Sequence, residues 1–234
     1  MQNKNKPLLL RPSGKDYLWG GSRLNDEFEK NIDLTPLAET WECSTHPDGP
    51  SYVVGGAFDG QELAEVLRAH PEYLGERHKG ENTLPILIKF IDAKKDLSVQ
   101  VHPTDAYAQE RENGQLGKTE MWYVLDCEPG AYLYYGFDHE ISKAEFEERI
   151  KNNTLTEVLN AVPVHKGDCF FIPSGTLHAI CQGIVIAEVQ QNSNVTYRVY
   201  DYGRVGADGK PRALHIEKAL DVTRRTPPQK HDFG

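Results

Sequence analysis

Short runs of β-branched and aromatic residues, punctuated by glycine and proline, constrain this chain more than any other feature. Residues 84–93 (LPILIKFIDA) are β-branched and apolar, and residues 97–103 (LSVQVHP) alternate with the period of a half-buried strand. Residues 120–127 (EMWYVLDC) and 131–137 (AYLYYGF) flank the turn-forming Glu128, Pro129 and Gly130, which predicts a hairpin. Further strands are expected at 169–172, 184–190 and 196–202. Helical signals are fewer and shorter. Leu63, Val66 and Leu67 have helical spacing in a segment stopped by Pro71, and 104–112 can form one helix capped by Thr104. Ser142 with Glu145, and Thr154 with Glu157, have capping-box spacing. An amphipathic helix near 214–222 leads into a tail rich in proline and charge. Many short strands between turns favour a sandwich or barrel over a parallel α/β sheet. With no repeat, low-complexity stretch or linker, the expectation is mainly β: one barrel domain over 1–234 with short helical embellishments.

Several function classes are disfavoured by composition. A net charge of -9 argues against general nucleic-acid binding, which needs a basic stripe. It leaves room for a small anionic substrate, because a few local cations outweigh a distant field. No apolar run approaches the ~20 residues needed to span a bilayer, so no membrane partner is expected. Near the N-terminus only Leu8, Leu9 and Leu10 form an apolar stretch, too short for a secretory core. Cys43, Cys127, Cys169 and Cys181 are scattered and contain no C-x-x-C pair. They predict buried free thiols in a reducing, cytoplasmic setting rather than disulfides or a thiolate zinc site.

The chemistry concentrates in two short segments and one carboxylate. Residues 167–178 (GDCFFIPSGTLH) read G-x5-P-x-G-x2-H, the spacing of the second motif of a cupin, a jelly-roll barrel. Gly167 would turn the chain into a strand, Pro173 and Gly175 would bend it at the barrel mouth, and His178 would then point inward. A turn carrying a surface or core histidine is the plain alternative. In Gln100-Val101-His102-Pro103, strand alternation puts Gln100 and His102 on one face and Val99 and Val101 on the other. A lone strand histidine is more often a hydrogen-bonded polar residue than a ligand, so this segment gains weight only beside the others. Glu120 opens an otherwise apolar strand, either capping it in solvent or facing a polar interior. Two histidines, a carboxylate and an amide oxygen suit zinc or another first-row divalent ion with positions left open. Lys118, two residues earlier, would face the same interior if the strand extends that far. His46, His70, His78, His139, His165, His215 and His231 mostly sit beside turn or helix-end residues and are read as solvated. Gly20-Gly21 and Gly55-Gly56 lack phosphate-loop spacing and are read as turns.

Taken together, 84–103, 117–125 (GKTEMWYVL), 172–180 (IPSGTLHAI) and 190–204 (QQNSNVTYRVYDYGR) resemble the type I mannose-6-phosphate isomerases, in particular their short bacterial form. YLWGG near Tyr17, AETWECSTHPDGPS near Ala38 and PRALHIEKALDV near Pro211 extend the likeness over nearly the whole chain. The resemblance implies a cupin-type fold and a metal held by Gln100, His102, Glu120 and His178, with one Zn2+ per subunit or another divalent ion. It implies Arg198 as the active-site arginine and Lys118 as the lysine beside the metal carboxylate. It also implies Trp19, Glu39, Lys89 and Ser98 as substrate-binding positions. The implied partner is a small sugar phosphate, the reaction interconversion of mannose 6-phosphate and fructose 6-phosphate through a cis-enediol, and the state a monomer or homodimer. Lys118, Lys89 and Ser98 are the candidates for the phosphate or the hydroxyls. A metal-bound hydroxide, a histidine and a carboxylate such as Glu39 all stay open as the proton-abstracting base. There are two departures. Gln100 stands where simpler cupins have the first histidine of H-x-H, with their nearby glutamate displaced to 120. The chain also ends soon after its last helix, where family members usually continue into a small C-terminal β domain, so that domain is expected to be absent or truncated. A non-catalytic sugar-phosphate-binding cupin and an Fe(II) cupin dioxygenase are the competing readings.

Overall fold

The protein is described here by a computed structural model covering residues 6–229, so His231 lies outside the described residues. In chain order the strands are β1 (Leu9–Arg11), β2 (Ser13–Lys15), β3 (Glu39–Cys43), β4 (Tyr52–Val54), β5 (Ile86–Ala93), β6 (Val99–Val101), β7 (Glu120–Cys127), β8 (Tyr132–Phe137), β9 (Leu159–Pro163), β10 (Cys169–Ile172), β11 (His178–Ile180), β12 (Ile184–Gln191) and β13 (Tyr197–Tyr200). Six helices interleave: α1 (Arg23–Asp26), α2 (Leu63–Ala69), α3 (Gly75–His78), α4 (Asp105–Arg111), α5 (Lys143–Lys151) and α6 (Ile216–Val222).

Two antiparallel sheets make the body, in the orders β10-β7-β12-β5-β3-β2 and β13-β6-β11-β8-β9, with β1 and β4 as a separate pair. Alternation decides what lies between them. Ile91, Trp122, Val124 and Ile186 from the larger sheet meet Leu133, Tyr135 and Ile180 from the smaller one in a single core. The opposite residues of the smaller sheet, among them Val99, Val101, Ala179 and Tyr197, are covered by Phe146 and Ile150 of α5 and Ala219 of α6. On the larger sheet, Phe90, Leu125 and Val185 are covered by Leu24, Phe28, Ile32, Leu34 and Leu37. The fold is mainly β and cupin-type, as expected. Its barrel consists of two facing sheets that share no strand, not one closed ladder.

The predicted hairpin does not form. β7 pairs with β10 and β12, whereas β8 pairs with β11 and β9. The turn at Glu128–Gly130 carries the chain from one layer to the other, anchored by Glu128 N–H donating to Gly183 O at 2.8 Å. Alternation reports which face of a strand is buried and is silent on which strand lies beside it. Capping succeeds at Ser142, whose hydroxyl accepts from Glu145 N–H at 3.0 Å, and at Thr104, which accepts from Tyr107 N–H at 3.4 Å. Thr154 makes no side-chain cap, and the segment after it is a single 3-10 turn, Leu155–Val158, running straight into β9. The thiols are unpaired as expected, but only Cys181 is buried; Cys43 and Cys127 are half-buried and Cys169 is exposed.

Gly20 packs directly against Ala38, the residue before β3. A Cβ there would lie 2.4 Å from Ala38 Cβ and 2.5 Å from Ala38 Cα, atoms that cannot rotate away. Gly20→Ala is expected to cost about 1–3 kcal/mol through this overpacking, read as a lower urea midpoint with an unchanged slope.

Candidate metal centre

Three strands and one turn bring the histidines and the carboxylate together. Gln100 on β6 is in register with His178 on β11 at one side and with Arg198 on β13 at the other. Pro173 and Gly175 bend the chain before β11 as the motif required. Gly175 has φ +86°, and its N–H donates to His102 O at 2.9 Å, tying the two motif segments to each other. Glu120 begins β7, on the inner face it shares with Trp122 and Val124.

His102, Glu120 and His178 are each at most 2% exposed, and one donor atom from each lies within 4.8 Å of the others. His102 Nε2 is 3.1 Å from Glu120 Oε1, and His178 Nε2 is 3.7 Å from Glu120 Oε2. Both rings are aimed from behind. His102 Nδ1 is 2.9 Å from Val195 O, and His178 Nδ1 is 2.8 Å from Thr176 O. A carbonyl accepts only from N–H, so each Nδ1 carries the proton and each Nε2 presents its lone pair to the centre. Burial, with Lys118 assisting, pushes His102 down to about 3; burial also lowers His178. Both rings are therefore neutral, the form that ligates a metal.

Lys118 lies just before β7 rather than in it, yet its side chain is buried and its Nζ sits 2.6 Å from Glu120 Oε1 and 3.3 Å from His102 Nε2. Burial opposes its charge, but Glu120 and Glu188 outweigh burial and raise its pKa. Burial likewise opposes the charge on Glu120, and the Lys118 ammonium prevails, holding it well below the usual carboxylate range. The Lys118 contact is ionic rather than directional: neither Glu120 Oε1 nor His178 Nε2 meets a donor in hydrogen-bond geometry. A buried, inward-facing imidazole lone pair on His178 with no donor among the described residues, beside a second imidazole and a carboxylate, is what a cation would satisfy. The donor set, two imidazoles and a carboxylate, fits a first-row divalent ion.

A cavity of about 270 Å³ adjoins this cluster and is lined by seven of the ten predicted site residues: Trp19, Glu39, Lys89, Ser98, Gln100, Lys118 and Arg198. Ser98 Oγ donates to Gln100 Oε1 at 3.5 Å. Glu39 accepts from Trp41 Nε1 at 2.8 Å and lies 3.4 Å from Lys89 Nζ, which also sits 4.3 Å from the Trp41 ring centroid. Arg198 turns away from Tyr197 and Val199 as alternation predicts. Its Nη1 donates to Ala213 O at 3.0 Å, and its Nε is buried without a hydrogen-bond partner among the described residues. Two of the histidines read as solvated depart from that reading: the His46 side chain is 13% exposed and meets the Trp41 ring edge-on at 5.8 Å between centroids, and His215 is half-buried, its Nδ1 accepting from Arg198 N–H at 3.1 Å.

Sequence reasoning missed Glu188, which also lines the cavity. Trp122 Nε1 donates to it at 2.8 Å and to Glu120 Oε2 at 3.1 Å. Burial, and then the Glu120 charge, raise Glu188 to about 7. The signal was available, since Glu188 continues the inward row of Ile184 and Ile186 on a buried strand. A carboxylate in such a row needs a reason. Arg212 and Asp201 were missed as well, although each lies in a stretch that carries the family resemblance, 211–222 and 190–204.

The profile of the phosphomannose isomerase type I catalytic domain matches residues 8–132. The mannose-6-phosphate isomerase of Streptococcus mutans is 44% identical over 217 residues, 93% of this chain and 67% of that protein. The crystal structure of the mannose 6-phosphate isomerase from Bacillus subtilis superposes with a TM-score of 0.88 at 41% identity, covering 94% of this chain and 69% of that one. A zinc-bound mannose 6-phosphate isomerase structure shares the fold, with a TM-score of 0.70 at 20% identity over 95% of this chain and 76% of its own.

Proposed function

The chain belongs to the type I phosphomannose isomerases, and we propose that it interconverts mannose 6-phosphate and fructose 6-phosphate beside the His102–Glu120–His178 cluster. One observation carries this reading above the others: donor atoms of His102, Glu120 and His178, all buried, converge within 4.8 Å of one another, His178 Nε2 with no hydrogen-bond partner among the described residues, next to a cavity able to hold a sugar phosphate. Zinc, one ion per chain, is the proposed occupant, with Gln100 Oε1 as the amide ligand completing the set.

Aldose–ketose isomerisation moves a proton between C1 and C2 through a cis-enediol, and its difficulty is the negative charge that builds on the sugar oxygens. A bound divalent ion supplies Lewis acidity against that charge. Around it, Val195 O and Thr176 O fix the imidazoles, and Lys118 keeps Glu120 ionised. Arg198 adds a permanent positive charge at the reacting end. Glu39 and Glu188 are the carboxylates facing the cavity. Glu188, held at about 7, is better matched to taking and returning a proton near neutral pH.

A coupled assay on mannose 6-phosphate, repeated after chelation and after zinc is added back, tests the whole reading. Turnover that is absent throughout while the sugar phosphate still binds would select a binding module instead. Arg198→Ala is expected to keep the metal and lose about 10²-fold in kcat, the scale of one charge-stabilising donor; full activity in that variant would remove Arg198 from the mechanism. Glu188→Gln should also keep the metal and depress kcat more than KM.

A further inference from the structure

We infer that Arg212, clamped by Asp201, grips the phosphate of the substrate and so sets selectivity for phosphorylated over free sugar; this rests on the isomerase reading above. Lys118 is committed to Glu120 at 2.6 Å, and Lys89 to Glu39 at 3.4 Å and to the Trp41 ring. Both lysines that the sequence offered for the phosphate are thus neutralised by buried carboxylates. Elsewhere on the wall the balance is different. Arg212 and Arg204 share a single carboxylate, Asp201, and Arg198 makes no ion pair with any described carboxylate. Within this cluster three guanidinium groups meet one carboxylate, and two of the three, Arg198 and Arg212, line the cavity; even with Glu188 on the same wall a positive excess remains, which suits a phosphate dianion.

Which of the three presents itself to a ligand follows from how each is used. Arg204 is spent on the fold: its guanidinium reaches Asp96 O, Asp201 O and Asp201 Oδ1 and lies 5.0 Å from the Tyr202 ring centroid. Arg198 belongs to the reacting end. Arg212 lines the cavity, donating Nε to Asp201 Oδ2 at 2.9 Å and Nη2 to Asp201 Oδ1 at 2.7 Å. That two-point fork fixes the guanidinium plane before any ligand arrives, while Nη1 takes no partner among the described residues. Asp201 is 7% exposed and is held by Arg204 as well, so the clamp is rigid. Asp201 is a positioning residue; Arg212 is the one that touches the ligand.

The test uses the metal-loaded enzyme. Arg212→Ala is expected to raise KM for mannose 6-phosphate about 10- to 100-fold with kcat nearly unchanged, the pattern of a lost charged contact made equally in ground and transition states. Inhibition by inorganic phosphate should weaken by a similar factor, while metal content stays as in the parent. Arg212→Lys, which keeps the charge and loses the fork, should lie between, and carries the test if the alanine variant does not fold. Asp201→Asn should raise KM less than Arg212→Ala. An active parent whose KM and phosphate inhibition are untouched by Arg212→Ala overturns the proposal and leaves the isomerase reading standing. A parent that turns nothing over overturns that reading; calorimetry with inorganic phosphate then decides the Arg212 site, which stands if the parent binds phosphate and Arg212→Ala does not, and falls otherwise.

Discussion

His178→Ala should leave a folded protein with little bound divalent ion and with turnover of mannose 6-phosphate reduced by at least about 10³-fold. The backbone around the site does not depend on the imidazole, because β11 is held by its ladders to β6 and β8. What disappears is one of three buried donors around a single point, together with the ring that packs edge-on at 5.3 Å against Trp122. Losing only an outer hydrogen-bond partner of a ligand costs about 10- to 100-fold in metal affinity or activity, so losing a ligand costs more. The Lewis acid and its charge stabilisation go with it. Metal analysis after desalting, beside the coupled assay, measures both effects. His165→Ala is the control, since that side chain is 81% exposed and should change neither. A His178→Ala protein that retains its metal in full would remove this cluster from the centre of the mechanism.

The sequence made the site more legible than the path of the chain around it. Strand alternation placed Gln100 and His102 on one face without any knowledge of the partner strands. The glycine and proline of 167–178 placed His178, because both physical demands, a positive φ at Gly175 and a bend before β11, are written in single residues. Strand partnership is not written that way. β7 and β8 read as a hairpin because they are adjacent, apolar and joined by Pro-Gly, and those signals are the same whether the turn stays in one layer or crosses to the other. The short strands β1 to β4 went unread for a related reason: three to five residues are too few for a period to declare itself, and their pairing is set by tertiary contacts. Glu188 belongs to no site motif, so only strand alternation points to it. The inward row of β12 asks what a carboxylate does between Ile186 and Gln190, and the cavity answers it. Arg212 could not be weighed at all until the lysines were seen to be paired, since charge balance is a property of the assembled wall.

Lys118→Met should move stability and metal affinity in opposite directions. Lys118 and Glu120 form a buried ion pair, their side chains 5% and 1% exposed, with Nζ and Oε1 at 2.6 Å. Removing one partner of such a pair strands the other charge in a low-dielectric site, typically at a cost of about 3–5 kcal/mol. In chelated protein Lys118→Met should therefore lose about that much unfolding free energy, because only neutral groups, the two imidazoles and the Trp122 indole, remain in contact with the Glu120 carboxylate. In metal-loaded protein the divalent charge compensates Glu120 directly, and the loss should shrink. The ammonium also stands 3.3 Å from His102 Nε2, where it repels any cation the imidazole would bind. Taking it away should consequently tighten zinc binding even as stability without metal falls and substrate handling suffers. Urea unfolding with and without chelator, paired with competitive zinc titration, reads the two effects separately. Equal destabilisation in both metal states, with zinc affinity unchanged or weaker, would mean that Lys118 and the bound ion do not share Glu120 as their common counter-charge.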